Sequence, residues 1–181
     1  MSDKNALRAA LRARRDGFAA TASAAIRVDP AFAMLLTPGM VVASYVPVGG
    51  EADPTPLEQV ALATGCRLAL PQVIDRATPL RFALHDAAAA LVPGPFGLRQ
   101  PPAAAPEAVP DVVLTPLVGF DRALHRIGQG AGHYDRAFAA FPAAHRIGIA
   151  WSVQETDPLQ PDPWDIPLHA IATEREWIVR A

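Results

Sequence analysis

An α/β fold built around a layered sheet is what this sequence predicts, and three observations carry the prediction. Apolar, β-branched runs alternate with segments of helical spacing: MVVASYVPV (40–48), then PTPLEQVALATG (54–65), then RLALPQV. That order buries strands between helical layers. The first run is apolar on both of its alternating faces and is bounded by Pro-Gly and Gly-Gly, as expected of a strand covered on both sides. Finally, 181 residues, 51% of them hydrophobic, suffice for a single globular domain.

The elements follow in order. Residues 3–16 read as the first helix, with Ser2 or Asp3 as N-cap and Gly17 as the stop. At roughly 100° per residue, Lys4, Arg8, Arg12 and Arg15 fall on one narrow stripe, with Leu7, Leu11 and Phe18 about 80° away. One side packs and its neighbour is cationic; a solvated arginine face is one reading of that neighbour. A second helical stretch is expected over 21–36, interrupted near Asp29-Pro30. After the strand at 40–48, the helix at 54–65 has proline in its first turn and Gly65 after its last. LRFALH (80–85) suggests another strand. Six of the 19 prolines fall between 93 and 110, so residues 87–110 read as an irregular surface connection with one short helix. DVVLTPLVGF (111–120) returns to strand chemistry, 121–132 is a polar glycine-bearing loop, and HYDRAFAAF (133–141) has helical spacing. HRIGIAW is a further strand, PLQPDPWDIPLH an extended loop, and AIATEREWIV one or two closing strands.

Composition excludes some function classes. A net charge of −2, from 16 basic and 18 acidic residues, gives no global positive field to draw the chain onto nucleic acid or anionic lipid. No nucleic-acid or membrane partner is expected. Cys66 is the only cysteine; it can form no internal disulfide, which fits a cytoplasmic protein, and it reads as a small buried apolar side chain. RRDGF at 14–18 lacks the apolar stretch of an export signal. The uncharged run 31–50 is cut by Pro38-Gly39 into a short helix and a strand. The basic residues are 15 arginines and a single lysine, Lys4.

Chemistry concentrates in FDRALHRIGQGAGHYDR. Glycines 128, 130 and 132 sit directly after a buried strand and directly before a helix. Alternating glycines let backbone N–H groups turn toward one concavity, and the helix behind adds its positive end, an arrangement suited to phosphate. A tight structural turn is the competing reading. The segment is neither a Walker A loop nor GxGxxG. Arg126 enters the loop as a fixed, forked donor suited to phosphate oxygens, and Asp135 leaves it as a hard oxygen ligand suited to Mg²⁺. His133 and Tyr134 also read as structural loop residues.

Taken together, these segments resemble the 5-formyltetrahydrofolate cyclo-ligases. KNALR is similar to the family's Lys-x-x-Leu-Arg, SYVPVGGEADPTPL to its strand and Glu-bearing loop, LALPQV to its next strand, and FGLRQP to its Gly-x-x-x-Pro segment. The most specific match is DVVLTPLVGFDRALHRIGQGAGHYDR, followed by IGIAWSVQ and PDPWDIPLHAIATE. The resemblance covers nearly the whole chain. It implies a single-domain, three-layer α/β/α sandwich with a mostly parallel central sheet (NagB/RpiA/CoA-transferase-like) over 1–181, with N-terminal helices 3–36 and a sheet core 40–181.

It also implies an ATP- and Mg²⁺-dependent enzyme converting 5-formyltetrahydrofolate, with or without a polyglutamate tail, to 5,10-methenyltetrahydrofolate, ADP and phosphate, acting as a monomer. On that resemblance, Lys4 and Arg8 reach the ATP phosphates and Arg126 opposes them, Lys4 and Arg126 being catalytic. Ile127, Gly128, Gln129, Gly130, Ala131, Gly132, His133 and Tyr134 line the nucleotide. Asp135 and Asp165 are the metal positions, and Glu51, Val46 and Tyr134 form the folate pocket. Trp151 and Trp164 could stack on folate, although buried structural roles are expected of both. Two positions depart from the family pattern: Leu124 stands where glycine is usual and Ala131 where Gly or Lys is common. A folate-binding protein without turnover, an α/β enzyme for another phosphorylated small molecule, and an interaction protein using the arginine stripe remain alternatives.

Overall fold

The computed structural model describes residues 2–75, 77–86 and 88–180. Its organising element is an eight-stranded sheet. The strands that form it are β1 (Val41–Ala43), β2 (Arg67–Gln72), β3 (Arg81–Leu84), β6 (Glu107–Ala108), β7 (Val112–Pro116), β10 (His145–Ile149), β11 (Ala170–Ala172) and β12 (Trp177–Val179). Two small hairpins lie outside it: β4 (Val92–Pro93) with β5 (Arg99–Gln100), and β8 (Gly119–Phe120) with β9 (Arg126–Ile127). The order across the sheet is β12-β11-β10-β7-β1-β2-β3-β6. The five strands from β11 to β2 pair in parallel, and the antiparallel strands β12, β3 and β6 finish the two edges.

Alternation along the strands divides the core into two layers. Val41, Ala43 and Val113 face one side with Ala137 and Phe138 of helix α4 (His133–Ala140). Val42, Val112 and Leu114 face the other, with Phe32 of α2 (Pro30–Leu35) and Leu57 and Ala61 of α3 (Thr55–Ala63). Strands buried on both faces need such two-sided cover. The expected three-layer sandwich with a mostly parallel sheet is therefore what the chain forms. Cys66 is buried and donates to the Thr37 carbonyl, and burial pushes its thiol up. Among the described residues, no helix is long and apolar enough to cross a membrane.

Several boundaries differ from expectation. Helix α1 (Ser2–Thr21) runs through Gly17 rather than stopping there. Phe18 packs on Trp151 at 5.4 Å between ring centroids, and Thr21 Oγ1 bonds back to Gly17 and Phe18 carbonyls, so contacts beyond the glycine hold the next turn. Residues 22–29 are not helical; only the segment after Asp29 is, with the Asp29 carboxylate capping Ala31 N–H and Pro30 in the first turn. The strand expected over 40–48 is shorter, β1 covering only Val41–Ala43, although Ser44 N–H still bonds to Ala69 O of β2 and Ser44 and Tyr45 are buried. The 87–110 connection holds β4, a 3₁₀ turn at Pro95–Gly97, β5 and β6.

The fold places a site by its topology. From β1 the chain moves to β2 on one side, whereas β7 lies on the other side of β1 and leads on to β10. The order reverses between β1 and β7, and the crevice beyond the carboxyl ends of such strands is where open α/β sheets bind ligands. Glu51 follows β1 there, and Leu117 follows β7.

Candidate active site

A cavity of about 600 Å³ opens at that switch point. Helix α1, the 125–135 segment, the 156–165 segment, Glu51 and the end of β7 enclose it.

The cation loop is built around one buried carboxylate. Asp121, 2% exposed, accepts N–H groups from Ala123, His125 and Leu159 and faces His125 Nδ1 at 3.1 Å. It closes the turn between β8 and β9 and ties the 156–165 segment to it. Leu124, in the family's glycine position, has φ +68° and is itself buried. The loop thus keeps a glycine-type path in spite of the leucine: Leu124 N–H bonds to Asp121 O, and Leu124 O receives Leu168 N–H. A side chain in that region is strained by about 1–2 kcal/mol, and burial of the leucine offsets it.

From this turn β9 delivers Arg126. Its side chain is 6% exposed. The guanidinium donates to Ile166 O at 2.7 Å and to Asp135 Oδ1, and its carbon lies 4.7 Å from the Phe138 ring centroid. Asp135 sits in the first turn of α4, after Gly130 (φ +101°) and Gly132 (φ +66°), where glycine takes the left-handed backbone at no steric cost. The whole run from Ile127 through Asp135 lines the cavity. Ala131 follows Gly130 within it, outside the positive-φ set. His133 Nδ1 is 3.2 Å from Arg136 Nη2.

Helix α1 lies along the other wall, and its cationic stripe is docked rather than merely solvated. Lys4 Nζ pairs with Asp162 Oδ2 at 2.6 Å, Arg8 Nε donates to Gly128 O at 3.0 Å, and Arg12 Nε donates to Gln129 Oε1 at 2.9 Å. Arg15 Nη1 lies 3.9 Å from Glu51 Oε1. The adjacent apolar stripe explains the docking: Leu11 is fully buried and Leu7 packs with it against Val118 and Ile127. The approach is close enough that a β-carbon on Gly119 would stand 2.5 Å from Leu11 Cδ1.

Glu51 is held from three directions. Its Oε2 accepts Val48 N–H at 3.0 Å, Arg15 faces Oε1, and the Gly50 carbonyl before it accepts Trp151 Nε1–H at 3.0 Å. Burial pushes the Glu51 carboxyl above the usual carboxylate range, while the Val48 N–H, Arg15 and Gln129 pull against that rise. Tyr134 lines the same cavity; burial, reinforced by the Glu51 charge, pushes its hydroxyl well up, so it stays a neutral donor.

Lys4, Arg8, Glu51, Arg126, the loop from Ile127 to His133, Tyr134, Asp135 and Asp165 are thus brought together. Val46 is not among them. It lines a separate cavity of about 230 Å³ with Tyr45, Asp53 and Glu58, because the chain bends after β1 and carries Glu51, not Val46, toward the switch point. Trp151 is buried as expected. Trp164, expected to be buried too, is 68% exposed and stands on the cavity wall, carried by a Pro-rich segment with no layer above it.

Sequence reasoning missed Asp162 and the part Arg15 plays. Asp162 sits three residues before Asp165, whose Oδ2 accepts its N–H at 2.8 Å. The segment reads from sequence only as an extended loop, and nothing in it signals the Lys4 partner, 158 positions away.

A sheet that switches direction above a glycine-rich loop, with cations on both walls and carboxylates at its rim, defines an α/β protein whose switch-point cavity is suited in its chemistry to an anion of the phosphate type. The sequence model of the 5-formyltetrahydrofolate cyclo-ligase family matches residues 1–174. This chain belongs to that family. A 5-formyltetrahydrofolate cyclo-ligase of Mycolicibacterium smegmatis is 33% identical over 153 residues, 78% of this chain and 77% of the relative. That of Escherichia coli K12 is 32% identical over 139 residues, 73% and 76% of the two chains. Among solved structures, the 5,10-methenyltetrahydrofolate synthetase of Aquifex aeolicus superposes with a TM-score of 0.71 at 27% identity, covering 97% of this chain and 92% of that one. The synthetase of Mycoplasma pneumoniae gives 0.65 at 26% identity, covering 96% and 99%.

Proposed function

We propose that this protein cyclises 5-formyltetrahydrofolate to 5,10-methenyltetrahydrofolate at the expense of ATP, as a cytoplasmic monomer, with the cavity at the β1/β7 switch point as its active site. The observation that carries the reading is the convergence of Lys4, Arg8, Arg126 and the 127–132 loop with Glu51 and Tyr134 in the lining of that one cavity. One cavity then holds a polyphosphate and a heterocycle together, which a transfer between them requires.

The chemistry sets the demand. N10 attacks poorly at an N5-formyl carbon deactivated by amide resonance, and the oxygen to be expelled is a poor leaving group. Transfer of the γ-phosphoryl group to the formyl oxygen solves both: the N10–C bond forms, the C–O bond breaks with departure of phosphate, and the N10 proton is lost. Phosphoryl transfer asks for positioning and positive charge more than covalent help from the protein. Arg8 and Lys4 supply that charge from α1. Arg126 is committed to Asp135 and Ile166 O, so it both fixes the loop and presents charge from its far wall. The Lys4 ammonium exchanges its Asp162 partner for a phosphate oxygen. Glu51 accepts paired N–H donors from the pterin, and the neutral Tyr134 closes the folate side.

Asp135 and Asp165 fit a magnesium ion that arrives with the nucleotide. They are two hard carboxylates beside a phosphate nest, and this metal is usually held by one or two carboxylates plus substrate phosphates. Among the described residues, no three His, Cys, Asp or Glu side chains form a closed cage. When bound, the ion neutralises phosphate charge.

One assay tests the reading. Purified protein with 5-formyltetrahydrofolate and Mg-ATP is followed for methenyl absorbance and ADP together, and one ADP per product is expected. Product without ADP, ADP without product, or binding of the folate with no turnover would overturn it.

A further inference from the structure

Arg15 is out of place for a surface arginine. Its side chain is 7% exposed, its Nε donates to Asp16 Oδ1 at 2.9 Å, and its Nη1 is buried with no hydrogen-bond acceptor in reach. Burying a guanidinium with an unmet N–H costs free energy unless something else in the molecule uses the charge. The charge it faces is Glu51, whose side chain is 12% exposed, at 3.9 Å. That separation is too long for a hydrogen bond and short enough for a strong charge interaction in a partly desolvated site.

Packing enforces the arrangement. A β-carbon on Gly50 would lie 2.5 Å from Asp16 Oδ1 and 3.1 Å from Asp16 Cα, so the chain before Glu51 presses directly onto α1. Trp151 clamps the Gly50 carbonyl from the other side, and its ring is packed by Phe18 one turn along the helix. The helix and the glutamate loop therefore form one rigid unit, with Arg15 sealed at the contact.

We propose that Arg15 is a positioning residue that holds Glu51 as an ionised carboxylate facing the cavity, ready to accept the paired N–H donors of a pterin. A carboxylate accepts two such donors only while it is charged, and a protonated one presents a competing O–H. This inference rests on the Glu51 assignment made above. The groups that face Glu51 are few: Arg15 and Asp16 from α1, the Tyr45 hydroxyl after β1, Gln129 from the phosphate loop and Tyr134 from α4. Burial works against ionisation and Asp16 adds to that; the Val48 N–H, Arg15 and Gln129 oppose it, Arg15 with a full positive charge. Both tyrosines have hydroxyls held well up, so they stay neutral between pH 6 and pH 9 and do not titrate with Glu51.

The test reads 5-formyltetrahydrofolate affinity in the full-length protein by titration calorimetry from pH 6 to pH 9, with kcat measured alongside at saturating substrate. Arg15→Met keeps the apolar stem and removes the charge. Its half-point for loss of affinity should move up, so binding weakens relative to wild type toward the acidic end and converges on wild type near pH 9, with kcat held. Asp16→Asn removes the opposing charge from a half-exposed side chain yet keeps an acceptor for Arg15; its half-point should move down. Arg15→Met with the wild-type profile, or with one uniform loss at every pH, would overturn the proposal. If Arg15→Met fails to fold, Asp16→Asn decides alone: a half-point that stays or rises overturns the inference. Glu51→Gln separates the two readings. Weak, pH-independent binding upholds the Glu51 assignment whatever Arg15 does, and wild-type binding by Glu51→Gln would sink that assignment and this inference together.

Discussion

Leu124 brings two opposed energies to one residue, and comparing its alanine and glycine variants separates them. Both variants delete a buried leucine side chain, which costs about 2–5 kcal/mol. They differ in three further terms. Alanine restricts the unfolded chain more than glycine, in its favour by about 0.5–1 kcal/mol, and it keeps a buried methyl worth about 0.8 kcal/mol. At an ordinary buried position alanine would thus be ahead by about 1.5 kcal/mol. At φ +68°, however, its β-carbon carries a strain of about 1–2 kcal/mol that glycine does not. The terms cancel, so Leu124→Ala and Leu124→Gly should unfold within about 0.5 kcal/mol of each other, both well below wild type. Equilibrium denaturant unfolding measures this, provided the slope m is shared by all three proteins. An alanine variant ahead of the glycine variant by about 1 kcal/mol or more would refute the positive-φ path through this turn.

Two further predictions concern the wall made by α1. Because Lys4 is the only lysine, reductive ¹³C-methylation gives one lysine methyl signal besides that of any free terminal amine; it should shift with Mg-ATP and, without nucleotide, in Asp162→Asn. A signal unmoved by both would refute the partner exchange, and Lys4→Ala should lower kcat/KM for ATP by about 100-fold or more. Gly119→Ala forces a β-carbon to within 2.5 Å of Leu11 Cδ1, so it should cost about 1–3 kcal/mol and raise KM for ATP through displacement of α1; a neutral melt with unchanged KM would show that the helix is not seated there.

The legible parts of this molecule were those written in local pattern. Alternating buried strands, the proline-led α3 and the glycine-spaced approach to α4 all have causes within a few residues, and they stand where the sequence puts them. Helix α1 was read too short at Gly17, because a ring contact with Trp151, more than 130 positions away, outweighs one glycine's propensity. The cationic stripe was legible as a stripe, but its docking was not, since it depends on Leu11 meeting Gly119 and on the glycine at 50. Val46, a folate-pocket position by resemblance, lines a different cavity from Glu51, a separation that the shared apolar run does not announce. Trp164 shows the reverse, an aromatic whose burial needed a covering layer that the proline-rich segment does not have.

The stripe on α1 also means that the site is measured out by counting residues. From Lys4 to Arg15 the helix rises about 16 Å, and its four cations meet Asp162, Gly128, Gln129 and Glu51 in turn. The distance between the phosphate end and the carboxylate end is therefore set by helical pitch rather than by the flexible loops that carry their partners. Adding a single residue between Arg8 and Arg12 would leave the first two cations in place and swing the last two by about 100° around the axis. A chain indexed in this way tolerates change of side chain more readily than change of length.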